Sequence, residues 1–179
     1  MKKFLSKRPV AIVLCLLIVI GSTLLNTRIR LGSACRELHN SFYAAGSMAD
    51  QLSKVCTEGE TMAALAEANG IDASSLRYST ESLRGMLNRE EENASQLYSG
   101  YMWLRDELSQ TRQQLFSASL NETDATQLRA ATDRLSALQS AISSSDYNAQ
   151  VRSFETKNSS LLTRVLARFS GVNMPVEFA

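Results

Sequence analysis

Residues 76–115, LRYSTESLRGMLNREEENASQLYSGYMWLRDELSQTRQQL, decide how this chain is read. Leu76, Thr80, Leu83, Leu87, Glu90, Ala94, Leu97, Tyr101, Leu104, Leu108, Thr111 and Leu115 follow one another in alternating steps of four and three. That spacing keeps one stripe on one side of a helix. It predicts a single helix over 76–115, which Gly85 and Gly100 weaken by roughly 1 kcal/mol each without breaking it.

The same period extends to both sides. Upstream, Leu31, Cys35, Leu38, Phe42, Ala45, Ala49, Leu52 and Cys56 form another unbroken stripe, with Thr57-Glu58-Gly59 as its expected end or bend. A short Ala-rich helix is expected over Glu60–Ala68, closed by Asn69-Gly70, both tolerant of the left-handed conformation, with Asp72 or Ser74 capping the next helix. Downstream, Ser117–Glu122 reads as a connector and Asn121 or Thr123 as a cap. The last stripe runs Leu128, Ala131, Leu135, Leu138, Ile142, then changes phase to Tyr147, Val151, Phe154, Asn158, Leu161, Val165. The five-residue step from Ile142 to Tyr147 rotates the apolar face at Asp146-Tyr147-Asn148, where the Tyr ring and the Asn amide take packing roles.

Such stripes are not stable alone and must bury one another. The fold class is therefore all-α: an N-terminal transmembrane helix followed by an antiparallel up-and-down bundle of three long helices and one short. Only Pro9 and Pro175 interrupt the helix-forming composition, and both lie near the ends.

Charge separates the first thirty residues from the rest. They hold six of the 19 basic residues and none of the 18 acidic ones. Residues 1–8 form a basic segment, and 9–27 are 19 uncharged residues that span about 28 Å as a helix, close to the hydrocarbon thickness. An uncleaved signal anchor fits better than a cleaved signal peptide, because the first small-residue site, Gly32-Ser33-Ala34, lies beyond Arg28 and Arg30. A lipid-modified Cys35 is disfavoured by the same two arginines. The four basic residues before the span, against Arg28, Arg30 and Arg36 after it, favour the N-terminus in the cytoplasm and the bundle outside. The acidic remainder argues against nucleic acid as partner. The lipid bilayer and an unidentified protein are the expected partners, with self-association through the Leu31–Cys56 seam as an alternative packing that heptads do not distinguish.

Chemistry is not legible. His39 is the one histidine, too few for a di-iron bundle site, and reads as a helix-flank residue. Cys35 and Cys56 would stand about 31 Å apart on one straight helix and cannot pair there, and Cys15 lies in the span. Arg89-Glu90-Glu91-Glu92 reads as a solvated charged face. No phosphate loop or nucleophile elbow occurs, so no catalytic, metal or cofactor residue is assigned and the chain is expected not to be an enzyme. Tyr98, Tyr101 and Trp103 form an aromatic patch that reads either as a second buried face or as a spot for a protein partner. Asn-x-Ser/Thr triplets at Asn93, Asn121 and Asn158 matter only in a glycosylating host.

Tyr147-Asn148, Val151, Phe154, Leu161, Ala167, Gly171-Val172 and then Pro175 and Phe178 resemble the C-terminal signature of LemA-like proteins. In that signature a Tyr-Asn pair is followed by Val, an aromatic, an apolar stretch and a Gly-led close. Glu155 stands where the family tends to have a second Asn, and Leu162 where Pro is common. The resemblance implies a bacterial membrane-attached helical bundle over 28–172 with a tail at 173–179. Its signature residues Tyr147, Asn148, Val151, Phe154 and Gly171 would then be packing residues.

Overall fold

The computed structural model describes residues 8–89, 93–169, 172 and 174–178. Among these every regular element is helical: α1 Arg8–Tyr43, α2 Met48–Ala68, α3 Ser74–Asn88, α4 Ala94–Ser117, α5 Glu122–Ser143, α6 Tyr147–Lys157 and α7 Leu161–Phe169. The chain divides into two compact units, one made of Met1–Leu38 with Ser153–Met174, the other of His39–Arg152 with Pro175–Ala179.

The larger unit is the helical bundle. Helix α2 packs against α3, α4 and α5, and α3 packs against α4. Cross-links give the directions: Glu67 pairs with Arg77 and Glu60 with Arg84, while Asn69 meets Asp124 and Glu58 meets Arg134. Numbers rise on one helix as they fall on the other, so α2 is antiparallel to both α3 and α5. The core runs through Leu52, Leu83, Leu97, Leu104, Leu115 and Leu128, all essentially sealed from solvent. Burial of each such side chain contributes about 1.5–3 kcal/mol before the cost of ordering the chain.

Most positions of the stripes read from the sequence are buried, but the helices break elsewhere. The 76–115 stripe is not one rod: α3 ends at Asn88 and α4 starts at Ala94, with Asn93 as N-cap accepting the Ser95 amide at 3.1 Å. Leu87 and Ala94 are seven residues apart, so a chain reversal between them keeps the phase of a continuous helix. Leu76, Thr80, Leu83 and Leu87 are then buried where α3 packs on both α4 and α2. Glu90, placed on that stripe by spacing, lies outside the described residues.

The expected break at Thr57-Glu58-Gly59 is also absent, and α2 passes straight through it. Gly59 is a close-packing glycine rather than a breaker: a Cβ there would stand 2.8 Å from the Thr80 hydroxyl of α3. The turn lies instead at 44–47, where Gly46 takes φ 77° and the Ser47 hydroxyl donates to the Phe42 carbonyl. Ala45, expected on the seam, is exposed there. The short helix expected over Glu60–Ala68 is the second half of α2. Its predicted end is present, with Gly70 at φ 73° and the Ile71 amide bonded to the Ala66 carbonyl at 2.9 Å.

The phase change at Ile142–Tyr147 is a real break as well. Helix α5 closes at Ser143 and α6 opens at Tyr147. A further break follows Lys157, so the stripe from Tyr147 to Val165 spans two helices, and Val165 is exposed. Gly171 and the side chain of Leu161 lie outside the described residues.

In the smaller unit, Leu31, Phe154 and Ala167 form a separate cluster with Ala34, Cys35, Leu38, Val172 and Met174 packed against it. In the part of α1 that precedes Leu31, ten large apolar side chains between Ile12 and Ile29 are 47–62 % exposed. Helix α1 is the one helix among the described residues long and apolar enough to cross a membrane.

Candidate functional site

Tyr147 and Asn148 stand at the first turn of α6, and their task is structural in an unexpected way. The Tyr147 ring is buried edge-on against Phe42 at 4.8 Å, and its hydroxyl donates to the Val176 carbonyl at 3.2 Å. Burial pushes the phenol above its ordinary pKa. Asn148 grips the next tail residues from both sides: its amide nitrogen donates to the Phe178 carbonyl at 2.9 Å and its amide oxygen accepts the Phe178 N–H at 2.7 Å. A primary amide is the neutral side chain that offers one donor and one acceptor side by side, so it pairs an extended backbone as a neighbouring strand would. Arg152, one turn further along α6, pairs with Glu177 at 3.3 Å.

The segment so held carries Phe178 into an aromatic site. Its ring lies 5.2 Å from Tyr98, 5.9 Å from Tyr101 and 6.1 Å from Phe42, and only 4 % of it is exposed. Pro175 and Phe178 figure in the resemblance read from the sequence, but nothing in the spacing shows that the tail returns to the bundle.

Set against family models, curated proteins and solved structures, the chain shows no match.

The aromatic patch Tyr98, Tyr101, Trp103 is split. Tyr101 is buried and Tyr98 half-buried on the Phe178 side, and burial raises the Tyr101 pKa with a smaller opposing effect of Arg105. Trp103 points elsewhere. It is 40 % exposed, meets Tyr78 of α3 edge-on at 5.5 Å, and its indole N–H donates to Glu107 at 3.3 Å. Tyr78, itself 65 % exposed, is a residue that spacing gave no reason to select. Val151 and Phe154 of the signature are both buried, Val151 in the bundle core and Phe154 in the smaller cluster.

A polar cleft of about 420 Å³ runs between α4 and α5. Arg105, Ser109 and Arg112 line one wall and Ser136 and Gln139 the other, over the buried side chains of Leu108 and Leu135. Arg105 has a long 3.6 Å contact with Asp106.

Among the described residues no three His, Cys, Asp or Glu side chains gather as metal ligands would. His39 stacks on Tyr43 at 4.9 Å. The three cysteines are free, and burial pushes the Cys56 thiol up to about 11, which leaves it protonated and inert near neutrality. The three Asn-x-Ser/Thr asparagines share one local role at helix ends. Asn93 and Asn121 cap α4 and α5, and Asn158 donates to the Phe154 carbonyl at the end of α6.

Proposed function

We propose that this chain is a single-pass, membrane-anchored helical module, non-enzymatic, acting through protein contacts as a scaffold or accessory component of the bacterial envelope, and that it is a divergent LemA-like protein. One observation carries the reading: ten large apolar side chains of α1 between Ile12 and Ile29 are 47–62 % exposed, whereas the chain beyond them builds a buried apolar core from Phe42 to Phe178. Leaving ten large apolar side chains in water would be costly, whereas a bilayer accepts them. The Tyr147-Asn148 pair and Phe178 give the family reading its support, because signature residues that clamp a tail are under structural constraint. The N-terminus lies in the cytoplasm and the bundle outside, on the balance of flanking basic residues.

A topology reporter fused after Ala179, read together with the mass of the mature chain, tests this. An intact chain with an extracytoplasmic reporter supports the proposal. A shortened chain makes the protein a released bundle, and a cytoplasmic reporter reverses its orientation.

The polar cleft between α4 and α5 favours a second reading, a ligand-sensing bundle working with a separate signalling partner. Its volume falls in the range of small-molecule sites. A ligand whose stabilisation of the folded chain vanishes in Arg112→Ala would favour it.

A further inference from the structure

Helix α7, LLTRVLARF, has apolar side chains pointing in two directions. Ala167 is buried in the smaller unit's cluster with Leu31, yet Val165 is 46 % and Phe169 79 % exposed. Val165 and Phe169 are four residues apart and so share one side of the helix. Arg168 is exposed beside them, and the nine residues include no acidic one.

Position gives this outward stripe a partner. The cluster that holds Ala167 includes Leu31, Ala34 and Cys35 of α1, which begin four residues after the uncharged stretch closes at Thr27. At 1.5 Å per residue that is about 6–12 Å beyond the end of the span, a stretch that starts within the headgroup layer, which is about 5–8 Å deep on each side of a bilayer. Charge agrees. Beyond the span, the residues of this unit, 28–38 and 153–174, hold six basic side chains against two acidic ones, Glu37 and Glu155. The bundle unit, 39–152 with 175–179, holds nine basic against 16 acidic. Positive charge is concentrated in the unit that carries the span.

From this we infer that α7 is an interfacial helix: it lies on the membrane beside the exit of α1, with Val165 and Phe169 in the acyl boundary and Arg168 on anionic lipid headgroups. An amphipathic basic helix of this kind binds through apolar area together with attraction to anionic lipid. The consequence is a second attachment point, which limits how freely the juxtamembrane unit turns about the span. The inference rests on the anchored reading of α1.

The full chain reconstituted in vesicles tests both separately. In a Trp103→Phe background, Phe169→Trp or Val165→Trp reports on α7 and Ile18→Trp on the span, with lipids brominated in the acyl chain as quenchers and circular dichroism to verify helicity. Expected are quenching of Ile18→Trp in every vesicle, and quenching with a blue shift of the α7 reporters in phosphatidylglycerol-containing vesicles that declines in pure phosphatidylcholine. Arg168→Gln should shift the docked-to-free ratio about fivefold toward free, the effect of one basic residue near an anionic leaflet. Quenching of Ile18→Trp without quenching at 165 or 169 overturns the inference and leaves the anchor standing. Equal quenching of the α7 reporters in both lipids overturns the anionic preference, and an unquenched Ile18→Trp removes the anchored reading and the inference together.

Discussion

Replacing Asn148 with alanine should free the tail and leave the bundle folded. The side chain makes two hydrogen bonds to one residue, at 2.9 Å and 2.7 Å, and an intramolecular hydrogen bond contributes a net of about 0.5–1.5 kcal/mol. Loss of both is worth about 1–3 kcal/mol. The lower part of that range applies if the freed Phe178 backbone groups reach water, the upper part if the ring stays in place and keeps them covered. At about 2 kcal/mol the tail opens roughly thirtyfold more often. Local opening of a few residues registers in hydrogen exchange, since protection follows the free energy of the smallest opening that exposes each amide. The Phe178 amide should therefore lose roughly thirtyfold protection while the amides of Leu97 and Leu104 are unchanged. Asn148→Asp is the control: it keeps the acceptor for the Phe178 N–H but sets a carboxylate against the Phe178 carbonyl, and should be at least as harmful. If Phe178 protection stays within threefold of wild type, the amide clamp is not what holds the tail. If the core amides fall in step with it, the tail is not a separate cooperative element.

Glycine substitutions should separate the two helix crossings. Gly59→Ala puts a methyl against a Thr80 hydroxyl already fixed on the Leu76 carbonyl at 2.7 Å, and should lower stability by about 1–3 kcal/mol in chemical denaturation. Gly100→Ala meets the flexible end of Met86 and should be neutral or stabilising by up to about 1 kcal/mol, so equal losses at both sites would contradict the packing described. Leu135→Asp buries a carboxylate beside the core and should abolish cooperative melting by circular dichroism; an unchanged melting curve would count against the bundle. Cys56 gives a pH signature. Its thiol titrates near 9 when unfolded and near 11 when folded, so its contribution is intact below pH 9 and is lost between pH 9 and 11, about 2–3 kcal/mol in all. Cys56→Ala should remove that part of the alkaline decline, as the difference between the two stability–pH curves, and in the wild type Cys56 should resist thiol reagents until the chain unfolds.

The helix breaks show what spacing conceals. From Leu87 to Ala94 the stripe advances by seven residues across a chain reversal, and a heptad pattern has no term for direction. Gly59 carried the opposite ambiguity: the missing side chain that weakens a helix also admits a neighbour, and only Thr80 on α3 shows which use applies. Asn69-Gly70 was legible because a left-handed helix end is a local property of two residues. Trp103 was selected from sequence for its company on α4, while its exposed partner Tyr78 is on another helix and carried no mark.

What the sequence determined by itself are the properties that neighbours along the chain decide: helical character, most of the stripe positions that are buried, the uncharged stretch at 9–27, and the helix end at Asn69-Gly70. The tertiary structure decided where stripes fold back on each other, that Phe178 fills a site between Phe42, Tyr98 and Tyr101, and that α7 turns Val165 and Phe169 outward. The physical reason is the range of the forces. Helix propensity and apolar period act within a few turns, whereas the clamp from Asn148 to Phe178 closes across 30 residues and exists only after the bundle has formed the pocket for that ring.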